Sequence, residues 1–298
     1  MVALDFPNIE ELKLTHYEAI EDYVSHMPET ERNAIRRHIA PLLKIDNLSS
    51  DYEWLREFIL ADVKTLREWT TNQAEKLRFG EFKKLYLTMF SNGPTKYVDT
   101  KKTYNAYTLY KAMNIRVCPY CEHEYIDALN IEGKERRTME FDHFYPKDDT
   151  KYPGLAMCFY NLIPSCSSCN KIKRIVSLDA NPYEEGIEDL TYLYPDIEIG
   201  VNIETLSEEE CAVKFHPKGG MIQNEKALGL EQRYTSQNHI VKDLLKKKQQ
   251  FPDEKLEKME KAGFGTKEQL TRALFGAPRA EIKGKELHTK MKHDLIGY

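Results

Sequence analysis

Two pairs of cysteines, each with two residues between its members, are the chemically most distinctive feature of this sequence. The first pair is Cys118 and Cys121 in CPYC, and the second is Cys166 and Cys169 in CSSC. A single CxxC pair is typical both of redox dithiols, whose thiol pKa is lowered, and of half of a zinc site. Two such pairs favour zinc, because together they supply four thiolates for a tetrahedral site.

The redox dithiol is the alternative interpretation of CPYC. A glutaredoxin-type dithiol begins a long amphipathic helix, whereas the segment EHEYIDALNIEGKERR, which follows CPYC, has the pattern of a β-hairpin. We therefore predict a structural zinc ion that clamps this hairpin to a helix beginning near Ser167. The predicted zinc ligands are Cys118, Cys121, Cys166 and Cys169.

The residues between and beside the two cysteine pairs could hydrolyse a phosphodiester. Asp142 and His143 are adjacent in MEFDHFYPK, and Asn170 directly follows the last cysteine. Hydrolysis needs an activated water and a cation that neutralises the charge developing on the phosphate oxygens. His143 suits the general base, because an imidazole titrates near neutral pH. Asp142 and Asn170 carry the oxygen ligands that Mg²⁺ or Mn²⁺ prefers.

The order of these motifs resembles that of the HNH, or ββα-metal, endonucleases that carry a four-cysteine zinc knuckle, such as endonuclease VII and McrA-like enzymes. The resemblance covers residues 115–175 and departs from the literal pattern in its third letter, where Asn170 replaces the final histidine. It implies metal-dependent cleavage of DNA, with His143 as the base and Asp142 and Asn170 as metal ligands. It also implies that Asn161, in NLIP, holds the loop of His143 and orients its ring.

Two other functions remain open beside DNA cleavage. RNA cleavage by the same residues is one, since the metal and the base act on the backbone rather than on the sugar. A non-catalytic zinc module that binds nucleic acid or protein is the other. The joint presence of Asp142, His143, Asn161 and Asn170 argues against that module, because binding alone needs no base beside a metal ligand.

A narrower resemblance concerns partners. The phrases FYNLIPSCSSCNKIK and NPYEEGIEDL are similar to those of PtuB-like HNH effectors from bacterial anti-phage systems. This similarity implies a role in defence beside an ATPase partner protein. The chain before Ile115 and after Gly229 is also longer than a knuckle needs, so we expect an interface there with a partner or with a second copy of the chain.

Basic residues near the second cysteine pair are candidates for nucleic-acid contacts. The net charge of -5 makes the whole surface a poor match for phosphates, so binding requires a local basic patch. The alternative interpretation is that these cations are ordinary solvated surface. The predicted phosphate contacts are Lys147, Lys171, Lys173 and Arg174.

The 298 residues suffice for more than one domain, and their composition is that of a globular protein. No apolar run approaches the about 20 residues of a membrane span, and the start of the chain lacks the pattern of a signal peptide. We therefore expect a cytoplasmic protein without membrane contact. In a reducing compartment, Cys158 and Cys211, which have no CxxC partner, are predicted to be core thiols.

Hydrophobic periodicity predicts mainly helices at both ends of the chain; residues 51–69, for example, are predicted to form one helix. Between these ends, the turn at Gly133 predicts a hairpin, followed by a second short strand pair. We therefore predict an α+β protein with a mainly helical scaffold and a central ββα-metal zinc-knuckle unit. The predicted segments are a helical region 1–114, a nuclease core 115–176, an acidic turn-rich segment 177–229 and a helical region 230–298.

Overall fold

The computed structural model describes residues 1–45, 51–91, 95–96 and 103–297. It is a mixture of helices and small antiparallel strand pairs, as expected for a mainly helical α+β protein. The chain divides into two compact units. The first unit comprises Ala3–Ile115 and Ile126–Glu185, and the second comprises Met1–Val2, Arg116–Tyr125 and Gly186–Tyr298. The four segments predicted from the sequence stay a prediction.

Helices form most of the first unit and enclose an aromatic and aliphatic core. A π-helical turn, Tyr86–Ser91, continues helix α5. Phe58, Phe82 and Phe90 are completely buried at the centre of this core. The helices are α1 (Ile9–Ser25), α2 (Glu29–Leu43), α3 (Glu53–Ile59), α4 (Val63–Asn72), α5 (Glu81–Leu85), α6 (Ala106–Met113) and α7 (Ser167–Lys173), with 3-10 turns at Ala74–Leu77, Pro153–Leu155 and Phe159–Asn161.

Residues 51–69, predicted to form one helix, form α3 and α4 instead. The break follows from Asp62, whose carboxylate accepts a hydrogen bond from the backbone N–H of Thr65 at 2.7 Å. An aspartate in this position satisfies one of the N–H groups that have no partner within the helix, and it therefore favours a new helix start. Phe58 and Leu66 are both completely buried, so the apolar pattern continues across the break although the helix does not.

The strands of the first unit form three antiparallel pairs among the described residues. They are β1 (Thr95–Lys96) with β2 (Thr103–Tyr104), β3 (Ala128–Ile131) with β4 (Lys134–Arg137), and β5 (Met139–His143) with β6 (Leu162–Cys166). The β3–β4 turn has positive φ at Glu132 and Gly133, which suits a tight hairpin and confirms the predicted one. Strand β6 continues directly into α7, which begins at Ser167 as predicted. The identity of β5, β6 and α7 as a ββα-metal unit stays a prediction.

A buried histidine connects α1 to the rest of the first unit. His16 is completely inaccessible to solvent, and its Nε2 lies 2.7 Å from the carbonyl oxygen of Met157. Its Nδ1 bonds to the hydroxyl of Tyr104. Burial lowers the pKa of His16 from its ordinary 6.5 to about 4. The folded protein therefore keeps this ring neutral at pH values where the unfolded chain would protonate it.

We expect acid to destabilise the protein through His16. Because the unfolded chain binds the extra proton, stability is full above the unfolded pKa and falls as the pH drops from 6.5 towards 4. The expected loss in free energy of unfolding from this residue is about 2 kcal/mol between pH 7 and pH 5. Urea denaturation at both pH values checks it. His16→Gln, which does not titrate, should show a smaller loss, and equal losses in the variant and the wild type would contradict the assignment.

The second unit contains a strand pair and the C-terminal helices. Leu193, Val213, Val241 and Met291 are buried in one hydrophobic cluster, together with Cys211. Its elements are β7 (Thr191–Pro195), β8 (Val213–Pro217), α8 (Met221–Leu228), α9 (Leu230–Tyr234), α10 (Asn238–Gln250), α11 (Asp253–Lys261), α12 (Lys267–Phe275), α13 (Arg279–Ile282) and α14 (Thr289–Ile296), with 3-10 turns at Ile187–Leu190, Ile203–Thr205, Glu209–Cys211 and Thr235–Gln237. Strands β7 and β8 are antiparallel.

The CPYC segment belongs to the second unit. Val117 and Tyr125 form an isolated antiparallel bridge around it, and the hydroxyl of Tyr234 donates to the carbonyl of Cys121 at 2.8 Å. The buried carboxylate of Glu122 accepts from the backbone N–H of Lys290 at 3.1 Å, at the start of α14. These bonds hold the cysteine turn against the helices of its own unit.

Two further expectations concern the whole chain. Cys158 and Cys211 are completely buried, which confirms them as core thiols. Among the described residues, the structure contains no helix with the length and apolar character that crossing a membrane requires.

Candidate functional site

The four cysteines of the two CxxC pairs come together in the structure. Cys118, Cys121, Cys166 and Cys169 are all buried, and their sulfur atoms all lie within 4.8 Å of one another. A tetrahedral zinc site with Zn–S bonds of about 2.3 Å needs sulfurs about 3.8 Å apart. The donor set therefore fits zinc, and these residues could hold a metal ion of that kind.

In both cysteine turns, a backbone N–H points at a cysteine sulfur. The backbone N–H of Cys169 points at the sulfur of Cys166 at 3.3 Å, where Cys166 caps the N-terminus of α7. In the other turn, the N–H of His123 points at the sulfur of Cys121 at 3.4 Å. A backbone N–H therefore lies at hydrogen-bond distance from one sulfur of each cysteine pair.

Two acidic residues of β5, Glu140 and Asp142, contact side chains of α7. They are two residues apart, and because side chains alternate along a strand they lie on one face. Glu140 accepts hydrogen bonds from Ser167, at 2.9 Å, and from the side-chain nitrogen of Asn170. Because a carboxylate only accepts, the amide nitrogen of Asn170 is directed at Glu140, and its oxygen is the atom left for a ligand. Sequence reasoning did not identify Glu140.

The hydrogen-bond partners of His143 show which of its ring nitrogens carries the hydrogen. Its Nε2 lies 3.1 Å from the carbonyl oxygen of Ala156, which only accepts, so Nε2 carries the hydrogen. Its Nδ1 lies 3.2 Å from the ammonium of Lys147, which only donates, so Nδ1 presents its lone pair. Burial, and next the positive charge of Lys147, hold the pKa of His143 well below its ordinary range. The ring is therefore neutral at pH 7, with Nδ1 as its basic atom.

Aromatic packing fixes the plane of the same ring. Tyr86, in the π-helical turn after α5, packs edge-on against His143 with ring centroids 4.5 Å apart. The ammonium of Lys147 lies 4.8 Å from the centroid of the Tyr86 ring, where a cation is attracted to the aromatic face. Tyr86 was not identified from the sequence, because no motif connects residue 86 with residue 143.

Asn161 holds the chain that follows β5. Its side-chain oxygen accepts from the backbone N–H of Tyr145 at 2.7 Å. Its side-chain nitrogen donates to the carbonyls of Tyr145, at 3.1 Å, and of Leu155, at 2.9 Å. Asn161 is completely buried, so these bonds satisfy backbone groups that water does not reach. Asn161 thus bonds to the chain that follows His143, and its predicted role in orienting the His143 ring stays a prediction.

Lys173 lies in the interior and not at the surface. Its side chain is 0% exposed, and its ammonium lies 3.1 Å from a carboxylate oxygen of Asp142. The same ammonium donates to the carbonyl of His143 at 2.7 Å. The expectation of a phosphate contact from Lys173 does not agree with this position. Lys173 follows Asn170 by one turn of α7, so it faces β5 in the same way.

The other predicted phosphate contacts are accessible to different degrees. Lys171 and Arg174 are exposed, and Lys147 is half-buried against His143. The structure therefore leaves two of the four basic residues on the open surface near the end of α7.

The site is also closed to a large degree. Asp142 and His143 are each only 3% exposed, whereas Asn170 and Glu140 are half-buried.

No protein-family model, curated protein sequence or solved structure matches this chain.

Proposed function

We propose that this protein is a metal-dependent endonuclease that hydrolyses phosphodiester bonds in DNA. The observation that carries the proposal is the state of His143. A neutral imidazole donates from Nε2 to Ala156, and its Nδ1, in the residue directly after Asp142, is unprotonated and accepts a hydrogen bond from Lys147. This is the state that a general base requires before it accepts a proton from water.

The remaining residues support that role through position. Asn161 and Tyr86 keep the loop and the ring of His143 in place, so that Nδ1 has a fixed direction. Lys147, the cation nearest to Nδ1, is suited to contact the scissile phosphate, and Lys171 and Arg174 to contact phosphates outside the site.

The donor set also fits a catalytic divalent cation. Asp142 and Asn170 would hold it through a carboxylate and an amide oxygen, which are the ligand types that Mg²⁺ and Mn²⁺ take. Glu140 orients the amide of Asn170 for that purpose. When bound, such an ion supplies positive charge to the phosphate oxygens and to the leaving oxygen. The zinc of the four cysteines has a structural role in this proposal.

A non-catalytic zinc module is the second candidate, and one observation favours it. Asp142 and His143 are each 3% exposed, and the carboxylate of Asp142 is already paired with Lys173. A module of this kind would bind nucleic acid or a protein without cutting it.

A digest of three substrates tests the proposal. Supercoiled plasmid, single-stranded DNA and a structured RNA are incubated with zinc-loaded protein and Mg²⁺ or Mn²⁺, and a parallel set contains EDTA. We expect cleavage of duplex DNA that requires the added cation. Cleavage of the RNA alone would assign the same residues to an RNA nuclease, and binding without cleavage of any substrate would favour the non-catalytic module.

The biological role and the partners of this activity are inferred from the sequence alone. A role in anti-phage defence, an ATPase partner and an interface between copies of the chain stay predictions. Co-purification from the native host and the mass of the protein in solution would test the last two.

A further inference from the structure

Lys173 is a completely buried cation whose partners belong to the candidate catalytic site. Its ammonium lies 3.2 Å from Oδ1 and 3.1 Å from Oδ2 of Asp142, and 2.7 Å from the carbonyl oxygen of His143. The ammonium donates hydrogen bonds to Oδ1 of Asp142 and to the carbonyl of His143, and Oδ2 of Asp142 lies at ion-pair distance. Both oxygens of Asp142 are therefore engaged by the Lys173 ammonium.

We propose that Lys173 is an intramolecular competitor of the catalytic cation, which occupies the oxygens of Asp142 and thereby weakens the binding of a divalent metal. This inference rests on the proposed function, because it takes Asp142 as a metal ligand. It assigns to Lys173 a positioning role and no contact with substrate.

The competition follows from charge and burial. A divalent cation that coordinates Asp142 would come within a few ångströms of the Lys173 ammonium, and like charges repel strongly where water is excluded. The alternative is that the ammonium leaves Asp142 and the carbonyl of His143, and separating a buried ion pair is costly. Either route lowers the affinity of the protein for the metal.

Phosphates of a bound nucleic acid change this balance. Their oxygens supply further ligands and negative charge, which attract the divalent cation and offset its repulsion from the Lys173 ammonium. The site would then hold metal mainly when DNA is present. Such coupling would restrain a nuclease that shares a cell with its host chromosome.

A purely structural role for Lys173 makes the opposite prediction. If the ammonium only compensates the buried charge of Asp142, its removal should disorder the carboxylate and weaken metal binding. If Lys173 competes with the metal, its removal should strengthen binding. The direction of the change in affinity therefore separates the two roles without any measurement of activity.

The test measures the affinity of the zinc-loaded full chain for Mn²⁺. Electron paramagnetic resonance reports the concentration of free Mn²⁺ during the titration. We expect Lys173→Met and Lys173→Gln to bind Mn²⁺ at least about tenfold more tightly than the wild type, because the competing charge is gone. Lys173→Gln keeps a donor for the carbonyl of His143 and carries the test if the methionine variant does not fold. Lys64→Met, at an exposed lysine of α4 outside the proposed site, should leave the affinity unchanged.

The outcomes distinguish this inference from the proposed function. Unchanged or weaker Mn²⁺ binding in folded Lys173→Gln would overturn the competition. Asp142→Asn, introduced into the Lys173→Gln variant, serves as the reference, since it should abolish the site. Equal Mn²⁺ binding in Lys173→Gln with and without Asp142→Asn would instead remove the metal site of the proposed function.

Discussion

Replacing His143 by alanine is expected to lower the single-turnover rate of DNA cleavage by about 10² to 10⁴-fold, the range that a general base supplies. The reason is the lone pair on Nδ1, which the alanine variant lacks. Binding of Mn²⁺ and of DNA should stay close to wild type, because the proposed ligands Asp142 and Asn170 remain. Cleavage of a labelled duplex at saturating protein and metal gives the rate, and a parallel titration gives the two affinities.

A matched control uses a histidine outside the site. His216 is exposed on β8, and His216→Ala should cleave at the wild-type rate. Thermal unfolding of both variants checks that the fold persists. Wild-type cleavage by His143→Ala would refute the nuclease assignment. A loss of Mn²⁺ binding together with the rate would show that His143 supports the metal site instead of activating water.

Cys169→Ser is expected to release the zinc ion and to destabilise the folded protein severely. A structural zinc site contributes on the order of 10 kcal/mol to folding, and three thiolates bind zinc far more weakly than four. Cys169 also lies in the first turn of α7, which carries Asn170 and Lys173. Elemental analysis should find one zinc per chain in the wild type and much less in the variant, with a large fall in the melting temperature.

Cys158→Ala is the matched control for this prediction. Cys158 is as deeply buried as Cys169, but its sulfur lies near the carbonyl of Phe58, outside the cysteine cluster. The control should keep its full zinc content and lose only a modest part of its stability. Zinc-free active protein with a reversible disulfide between Cys118 and Cys121 would return the interpretation to a redox dithiol.

Features carried by short stretches of sequence were predictable. The β3–β4 hairpin follows from Gly133, because a positive φ suits glycine and a tight turn needs it. The start of α7 at Ser167 follows from the cysteine turn before it. The helix over residues 51–69 was predicted as one because its apolar residues keep their period, and the N-cap at Asp62 divided it.

Features that join distant residues were not predictable in the same way. Lys173 and Glu140 are both charged, and their sequence contexts are those of surface residues. Only the packing of α7 against β5 buries the first beside Asp142 and turns the second towards Asn170. The neutral state of His143 likewise requires the carbonyl of Ala156, which lies in a loop.

The sequence by itself determined the chemical inventory of this protein, namely four cysteines at metal-binding spacing and an Asp-His pair between them. Spacing within a turn determines which sulfurs can converge, because a CxxC turn is a local structure. The tertiary structure alone decided which cation the Asp142 carboxylate faces, which nitrogen of His143 is basic and how little of either residue meets solvent. The physical reason is that charge state and access depend on desolvation and on hydrogen-bond partners far away in the chain.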